Sequence, residues 1–309
     1  MHVLLLGHSD IARRRVLPAL AGLGIDRLDI ASERPAAEIT WPRGMTGQAF
    51  TRYENAITDS RADLVWISTV NSRHAALATL ALNAGRHVVI DKPATTSLDD
   101  TKALIDIARR RRLVLAEATT YPFHPQIAAA RRVFDDAGSS PTHIVAMFSF
   151  PELRPTNFRN DPDLGGGMLL DLGPYAMSLG RVFFDAAPSE VVCRMLAGDR
   201  GFSVLASYPG ERTVTGHFGM TTGYVNRLTL LGPRITLAME RAFTTTADMT
   251  CRLQATIANA PVMIEVPPAD SFACFIRNVL AAIERRDAEP FLGPMLADAQ
   301  ALAQLRGHR

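Results

Sequence analysis

The chain is poor in the features that would set it apart from an ordinary globular protein. Its 309 residues include three cysteines, Cys193, Cys251 and Cys274. Their odd number, wide spacing and apolar surroundings argue against a disulfide framework and against a metal site. Reduced, buried thiols in a cytoplasmic protein are expected instead. The formal net charge is +2, which favours no polyanion. The basic run at 109–112 has no interleaved aromatic residues, as a nucleic-acid platform requires, and reads as the solvated end of a helix. No apolar stretch approaches the roughly 20 residues of a membrane span. The first residues carry no basic segment ahead of their apolar run, so no secretory signal is expected. Internal repeats and low-complexity segments are absent. Hydrophobic residues make up 47% of the chain and charged residues 21%, ample for a large core. The length is about twice the usual single-domain size, so two domains sharing a cleft are expected.

The first third alternates strand and helix patterns. Apolar runs at 3–6, 28–31, 64–68, 87–90 and 113–116 read as strands, and 97–110 as a helix with Ser97 and Asp100 as a capping box. Such alternation implies right-handed βαβ units and a parallel sheet. After about Ala118 the rhythm changes. Strands are expected at 144–150, 191–196, 203–208, 213–218, 227–231, 235–240 and 262–266 as an antiparallel meander, hence a second domain. Helices at 271–286 and 296–305 close the chain. The expected domains are 1–118 and 119–309, in the α/β class.

Chemistry is expected at the carboxyl edge of the first sheet, where ligands bind in open α/β folds. Residues 62–93 read ADLVWISTVNSRHAALATLALNAGRHVVIDKP. They place Thr69, Asn71 and His74 after one strand and Asp91-Lys92-Pro93 after the next. Gly7-His-Ser9-Asp-Ile-Ala12 lies between a strand and a helix and fits a G-x-G-x-x-G/A dinucleotide turn, with Ser9 at the middle glycine. Serine is small, so a diphosphate can still approach the helix amino end, whose N–H groups and dipole favour an anion. Ser32 stands where an acidic residue would hold the adenosine ribose, and Arg34 is close by. That pair suits a 2′-phosphate, hence NADP, although Glu33 keeps NAD as the alternative.

These motifs, with NFRNDPDLGGGMLLDLGPY at 157–175, resemble the Gfo/Idh/MocA oxidoreductases. The resemblance is closest to the nucleotide-sugar 3-ketoreductases of that family, and it runs from Gly7 to the final helices. It implies an N-terminal Rossmann dinucleotide-binding domain. It further implies a C-terminal α/β domain with an open, mostly antiparallel sheet, through which a homodimer or homotetramer assembles. Lys92 resembles the lysine that reaches the reacting C–O group, and Tyr175 the usual proton donor. Asp171, four residues earlier, would orient the substrate or Lys92. Asp91 stands where the family has a glutamate on the nicotinamide ribose, and Pro93 resembles a proline often preceded by a cis bond. Gly7, Ser9, Ile11, Ala12, Ser32, Arg34, Thr69, Asn71, His74, Asp91 and Pro93 are the implied cofactor set. Asn157, Arg159 and His124 are the implied substrate contacts. The glycines 165–167 read as backbone yielding to a bulky ligand, and Pro174 as either a first-turn residue of its helix or a kink within it.

The chemical logic holds without the family. Hydride reduction of a ketone leaves an alkoxide that must be protonated as it forms. A phenol of unperturbed pKa ≈ 10 needs a cation beside it to act as an acid near neutrality. Lys92 supplies that charge and is itself the rival donor. The leading expectation is reduction of a nucleotide-linked keto-deoxysugar. Oxidation of a free sugar or cyclitol, an NAD-dependent glycoside hydrolase and a non-catalytic ligand sensor are the alternatives.

Overall fold

The computed structural model describes residues 1–33 and 39–307. Two compact units emerge: Met1–Thr119 with Asp163–Gly165 and Phe272–Leu296, and Thr120–Pro162 with Gly166–Ser271 and Ala297–Arg309.

The first unit is built on β1 (His2–Leu6), β2 (Arg27–Ala31), β3 (Ala49–Phe50), β4 (Leu64–Ile67), β5 (His87–Ile90) and β6 (Leu115–Glu117). They form one parallel sheet in the order β3-β2-β1-β4-β5-β6. The order reverses between β1 and β4, which makes their carboxyl ends the ligand-binding crevice of such a sheet. Every residue of β4 is buried, as are Val3, Leu4, Leu5 and Leu6 of β1. A parallel sheet is covered on both faces, so its strands read as unbroken apolar runs. Helices α1 (Leu17–Gly22), α2 (Tyr53–Asp59), α3 (His74–Asn83) and α4 (Leu98–Arg111) supply the cover. Ser97 caps α4 by accepting from the Asp100 N–H at 3.1 Å, and Arg109, Arg110 and Arg111 face the negative end of its dipole. A π-helical turn, Ala12–Val16, leads into α1. Pro18 has no N–H to continue the regular ladder there. The expected strands stand within two residues of their runs; β3 and α2 were not anticipated.

The second unit contains α5 (Pro125–Asp136), β7 (His143–Ser149), α6 (Met168–Phe184), β8 (Glu190–Met195), β9 (Gly201–Tyr208), β10 (Arg212–Gly219) and β11 (Val225–Leu231). It continues through β12 (Ile235–Glu240), β13 (Cys251–Ile257) and β14 (Ala260–Val266). The eight strands run β14-β13-β12-β11-β7-β10-β9-β8. The expected meander is corrected in two respects: β13 is an additional strand, and β7 and β10 pair in parallel while every other neighbour is antiparallel. Side chains alternate across the sheet: Ile144, Ala146 and Phe148 point into the core, Val145 and Met147 out of it. Pro174 lies well inside α6, not in its first turn. Two helices close the chain, α7 (Ser271–Arg285) and α8 (Glu289–Gly307). The latter starts seven residues ahead of expectation and carries Pro294 inside it. Its first proline, Pro290, occupies the opening turn, where a missing N–H costs nothing.

Candidate active site

One group of candidate residues is assembled at the carboxyl ends of β1, β2, β4 and β5. Gly7 turns the chain out of β1 with φ +95°, and a Cβ there would sit 2.3 Å from the Ser68 carbonyl oxygen. Only glycine fits that turn. Ser9 then caps the helix, its Oγ accepting from the Ala12 N–H at 3.1 Å. The first intrahelical bond runs from Arg13 N–H to Ser9 O at 3.0 Å. The N–H groups of Asp10 and Ile11 precede it, at the positive end of the dipole. Those two donors and the dipole form an anion cradle that fits a dinucleotide diphosphate.

At the end of β2, Ser32 is buried and Glu33 exposed. Arg34 lies outside the described residues. Arg73, from the loop after β4, binds the Glu33 carboxylate and lies 4.8 Å from the Tyr53 ring centroid. Arg73 was missed in the sequence because it is forty residues from its partner.

The loop after β4 is locked internally. His74 is fully buried, with Nδ1 2.9 Å from the Pro93 carbonyl and Nε2 3.2 Å from that of Thr69. A neutral imidazole carries one N–H, and the shorter contact assigns it to Nδ1. Burial lowers the His74 pKa against the pull of both carbonyls and the Asp91 carboxylate. Burial shifts His87 and His124 the same way. The folded pKa therefore lies below the unfolded value near 6.5. The stability this contributes is fully present above about pH 6.5 and is lost as pH falls through the folded value. Wild-type Tm should fall between about pH 7 and pH 5 more steeply than that of His74→Asn, measured by differential scanning calorimetry; equal slopes would contradict the assignment.

Asn71, expected to contact the cofactor, is buried and donates from Nδ2 to the Gly165 carbonyl at 2.8 Å. Thr69 is half-buried, its hydroxyl on the Val70 carbonyl. The Lys92–Pro93 peptide is cis, as the resemblance implied. Lys92 is half-buried at the end of β5. Asp91, implied as a ribose ligand, has both carboxylate oxygens engaged by protein. Trp66 Nε1–H donates to Oδ1 at 2.9 Å and Ser68 Oγ–H to Oδ2 at 2.5 Å. Burial raises the Asp91 pKa, and these two donors, with His74 and Lys92 nearby, pull it back. Glu117 holds the segment after Pro93, accepting from the Ala94 N–H at 2.8 Å and from Thr119 Oγ1 at 2.5 Å.

A second group of candidate residues lies within the other unit. Tyr175 is a half-buried residue of α6 whose ring packs on Phe148 at 5.2 Å, Phe243 at 5.4 Å and Tyr121 at 6.1 Å. Tyr121 is no rival acid. Its phenol is buried, donates to Ser178 Oγ at 2.8 Å, and is pushed far above its ordinary pKa by desolvation. Asp171, one turn before Tyr175, accepts from Arg159 Nε at 2.9 Å. Arg159 also lines a cavity of about 730 Å³ with Asn160, Glu152, Asp199 and Arg200. That volume accommodates a drug-sized or nucleotide-sized ligand. Asn157 caps the short turn before the cavity by accepting from the Arg159 N–H at 3.1 Å.

Two of the expected site features are engaged by protein. His124 has both ring nitrogens occupied. It is buried, caps α5 by accepting from the Gln126 N–H at 3.2 Å, and donates from Nε2 to the Ala269 carbonyl at 3.2 Å. Glycines 165–167 stand where protein itself packs closely. A Cβ on Gly165 would meet Asn71 at 2.8 Å, one on Gly166 the Asp161 carbonyl at 2.6 Å, and one on Gly167 the Asp199 carboxylate at 2.3 Å.

A parallel sheet with an anion cradle at its switch point and a lysine one strand away is the apparatus of a dinucleotide-dependent oxidoreductase. Residues 2–119 match the oxidoreductase family with an NAD-binding Rossmann fold, and residues 128–238 match the GFO/IDH/MocA C-terminal domain. The chain belongs to the Gfo/Idh/MocA oxidoreductase family. It is 32% identical over 248 residues to the dTDP-3,4-didehydro-2,6-dideoxy-alpha-D-glucose 3-reductase of Streptomyces violaceoruber, covering 77% of this chain and 72% of the relative. It is 33% identical over 183 residues to a D-xylose 1-dehydrogenase (NADP(+)) of Haloferax volcanii, covering 58% and 56%. Among solved structures it resembles KijD10, a 3-ketoreductase from Actinomadura kijaniata in complex with NADP and TDP-benzene. The TM-score is 0.92 at 27% identity, covering 100% of this chain and 97% of that one.

Proposed function

We propose that this protein is an NADPH-dependent reductase of a nucleotide-linked keto-deoxysugar. The observation that carries this reading is the half-buried Lys92 at the end of β5, in a chain alike over its full length to a 3-ketoreductase crystallised with NADP and a TDP compound. When bound, the reduced nicotinamide supplies the hydride. The chain's own groups do the rest. The Asp10 and Ile11 N–H groups hold the diphosphate. Tyr175 gives its phenolic proton to the carbonyl oxygen, and the Lys92 ammonium stabilises the negative charge growing there. The Asp171–Arg159 ion pair fixes the start of α6 and the rim of the 730 Å³ cavity. The cavity's volume suits a nucleotide-sized substrate better than a free sugar. The free-sugar dehydrogenase remains as the second reading, on the strength of the xylose dehydrogenase likeness.

NADP is favoured over NAD by Ser32 and by Arg73, with Arg34 as the further contact named by the sequence. Glu33 competes with a 2′-phosphate for the Arg73 guanidinium. Arg73→Ala should weaken NADPH binding about tenfold and NADH binding little, the scale of one lost charge-assisted hydrogen bond. Glu33→Gln should tighten NADPH binding. Titration calorimetry with both cofactors measures each, and equal losses for NADPH and NADH would remove Arg73 from the discrimination.

The second unit's sheet leaves one face uncovered in the chain, with Val192 54%, Met263 53% and Leu205 45% exposed among a row of outward apolar residues. An apolar face of that kind marks an association surface, and a homodimer or homotetramer forms through it in this reading. Among the described residues no helix is long and apolar enough to cross a membrane. A cytoplasmic setting, which keeps NADPH reduced and Cys193, Cys251 and Cys274 as thiols outside any disulfide, completes the proposal.

A further inference from the structure

We propose that Ser68 is a positioning residue that couples the diphosphate-binding turn to the segment bearing Lys92. The inference rests on the NADPH-dependent reading above. Ser68 lies just past β4 and is almost fully buried. Its Oγ is 2.7 Å from Ser9 Oγ on one side and 2.5 Å from Asp91 Oδ2 on the other. Asp91 is held from its other oxygen by Trp66 Nε1–H at 2.9 Å, and its own N–H donates to the Ile67 carbonyl at 2.9 Å.

The direction of every hydrogen in this chain follows from one fact. An ionised carboxylate only accepts, so the single Ser68 proton is committed to Asp91. Ser9 must then donate to Ser68, and its remaining capacity accepts from the Ala12 N–H. A continuous, one-way chain results: Ala12 N–H to Ser9, Ser9 to Ser68, Ser68 to Asp91. The Ser9 proton is spent inward, which leaves the diphosphate to the backbone N–H groups of the cradle. Asp91, occupied by Ser68 and Trp66, anchors the backbone from which Lys92 and Pro93 follow. The charged and titratable groups facing that carboxylate are Lys92 and His74. His74 closes the other side of the same segment through the Pro93 carbonyl.

The turn and the lysine therefore share one hydrogen-bonded frame within the first unit. A ligand that steadies the turn steadies Lys92, and the reverse holds by reciprocity of coupled equilibria. Ser9 in place of a glycine and Asp91 in place of a longer glutamate are two ends of the same device. A glycine would break the chain at one end.

The test uses the full chain. Ser68→Ala should bind NADP+ with a Kd within about twofold of wild type, since the cradle N–H groups remain. Its kcat should fall about tenfold or more, with KM for the sugar nucleotide nearly unchanged, the scale of losing a hydrogen bond to a charged group. Hydrogen–deuterium exchange gives the readout that a purely structural role would not move. NADP+ should slow exchange of residues 89–95 in the wild type and leave it unslowed in Ser68→Ala. Ser9→Gly, which breaks the same chain from the solvent side of the turn, should behave alike if Ser68→Ala folds poorly. Equal slowing at 89–95 in wild type and variants, or wild-type kcat in both, overturns the coupling alone. Failure of the wild type itself to bind NADP+ overturns the functional reading together with it.

Discussion

Lys92→Ala should fold, bind NADPH and lose about 10²–10³ of kcat, the cost of removing one preorganised stabiliser of a developing oxyanion. The fold is spared because the Lys92 side chain is no part of the apolar core. That core, under β5, is built from Val88, Ile90 and their neighbours. Cofactor binding is spared because the anion cradle belongs to the turn after β1, and neither that cradle nor the frame behind it uses the Lys92 side chain. The loss should appear in kcat and kcat/KM together, as for an interaction made only in the transition state. NADPH titration and a steady-state assay on the same preparation separate binding from turnover. Unchanged turnover in the variant removes Lys92 from the mechanism.

Tyr175→Phe should cost about 10²–10⁴ in kcat, the usual worth of a positioned general acid. It deletes one oxygen and keeps the ring that packs on Phe148 and Phe243, so Tm should change little. The two variants together decide which group donates the proton. If the phenol donates, Tyr175→Phe loses activity that Lys92 cannot restore. If the ammonium donates, Tyr175→Phe retains most of its turnover while Lys92→Ala is the inactive one.

Much of this was legible in the sequence, for identifiable reasons. The first unit's strands stood out because parallel strands are buried on both faces, so VLLL, LVWI and HVVI read as uninterrupted apolar runs. Asn71, His74 and Lys92 stood out because they follow such runs directly, at the edge where an open sheet binds ligands. The boundaries of α8 were misjudged because Pro290 and Pro294 look like breakers, whereas the first sits in the opening turn. The strand β13 was missed although CRLQATI alternates cleanly between the faces; period two was the signal available. The parallel pairing of β7 with β10 could not be read from local pattern, because about 70 residues separate the partners. For the same reason the commitments of individual polar atoms were hidden. Asp91 is claimed by Ser68 and Trp66, more than 20 residues upstream. His124 is claimed by the Ala269 carbonyl, 145 residues downstream. Residue type announced candidates, and long-range partners decided which of them protein already engages.

The most direct measurement follows the hydride itself. Wild-type protein is incubated with NADPH deuterated at the transferring position of the nicotinamide and with a nucleotide-linked 3-keto-deoxysugar, and the sugar is examined by NMR. The account predicts one deuterium on the new carbinol carbon for each NADPH oxidised. Deuterium that stays in the cofactor, or an untouched keto sugar beside tightly retained NAD, would contradict it.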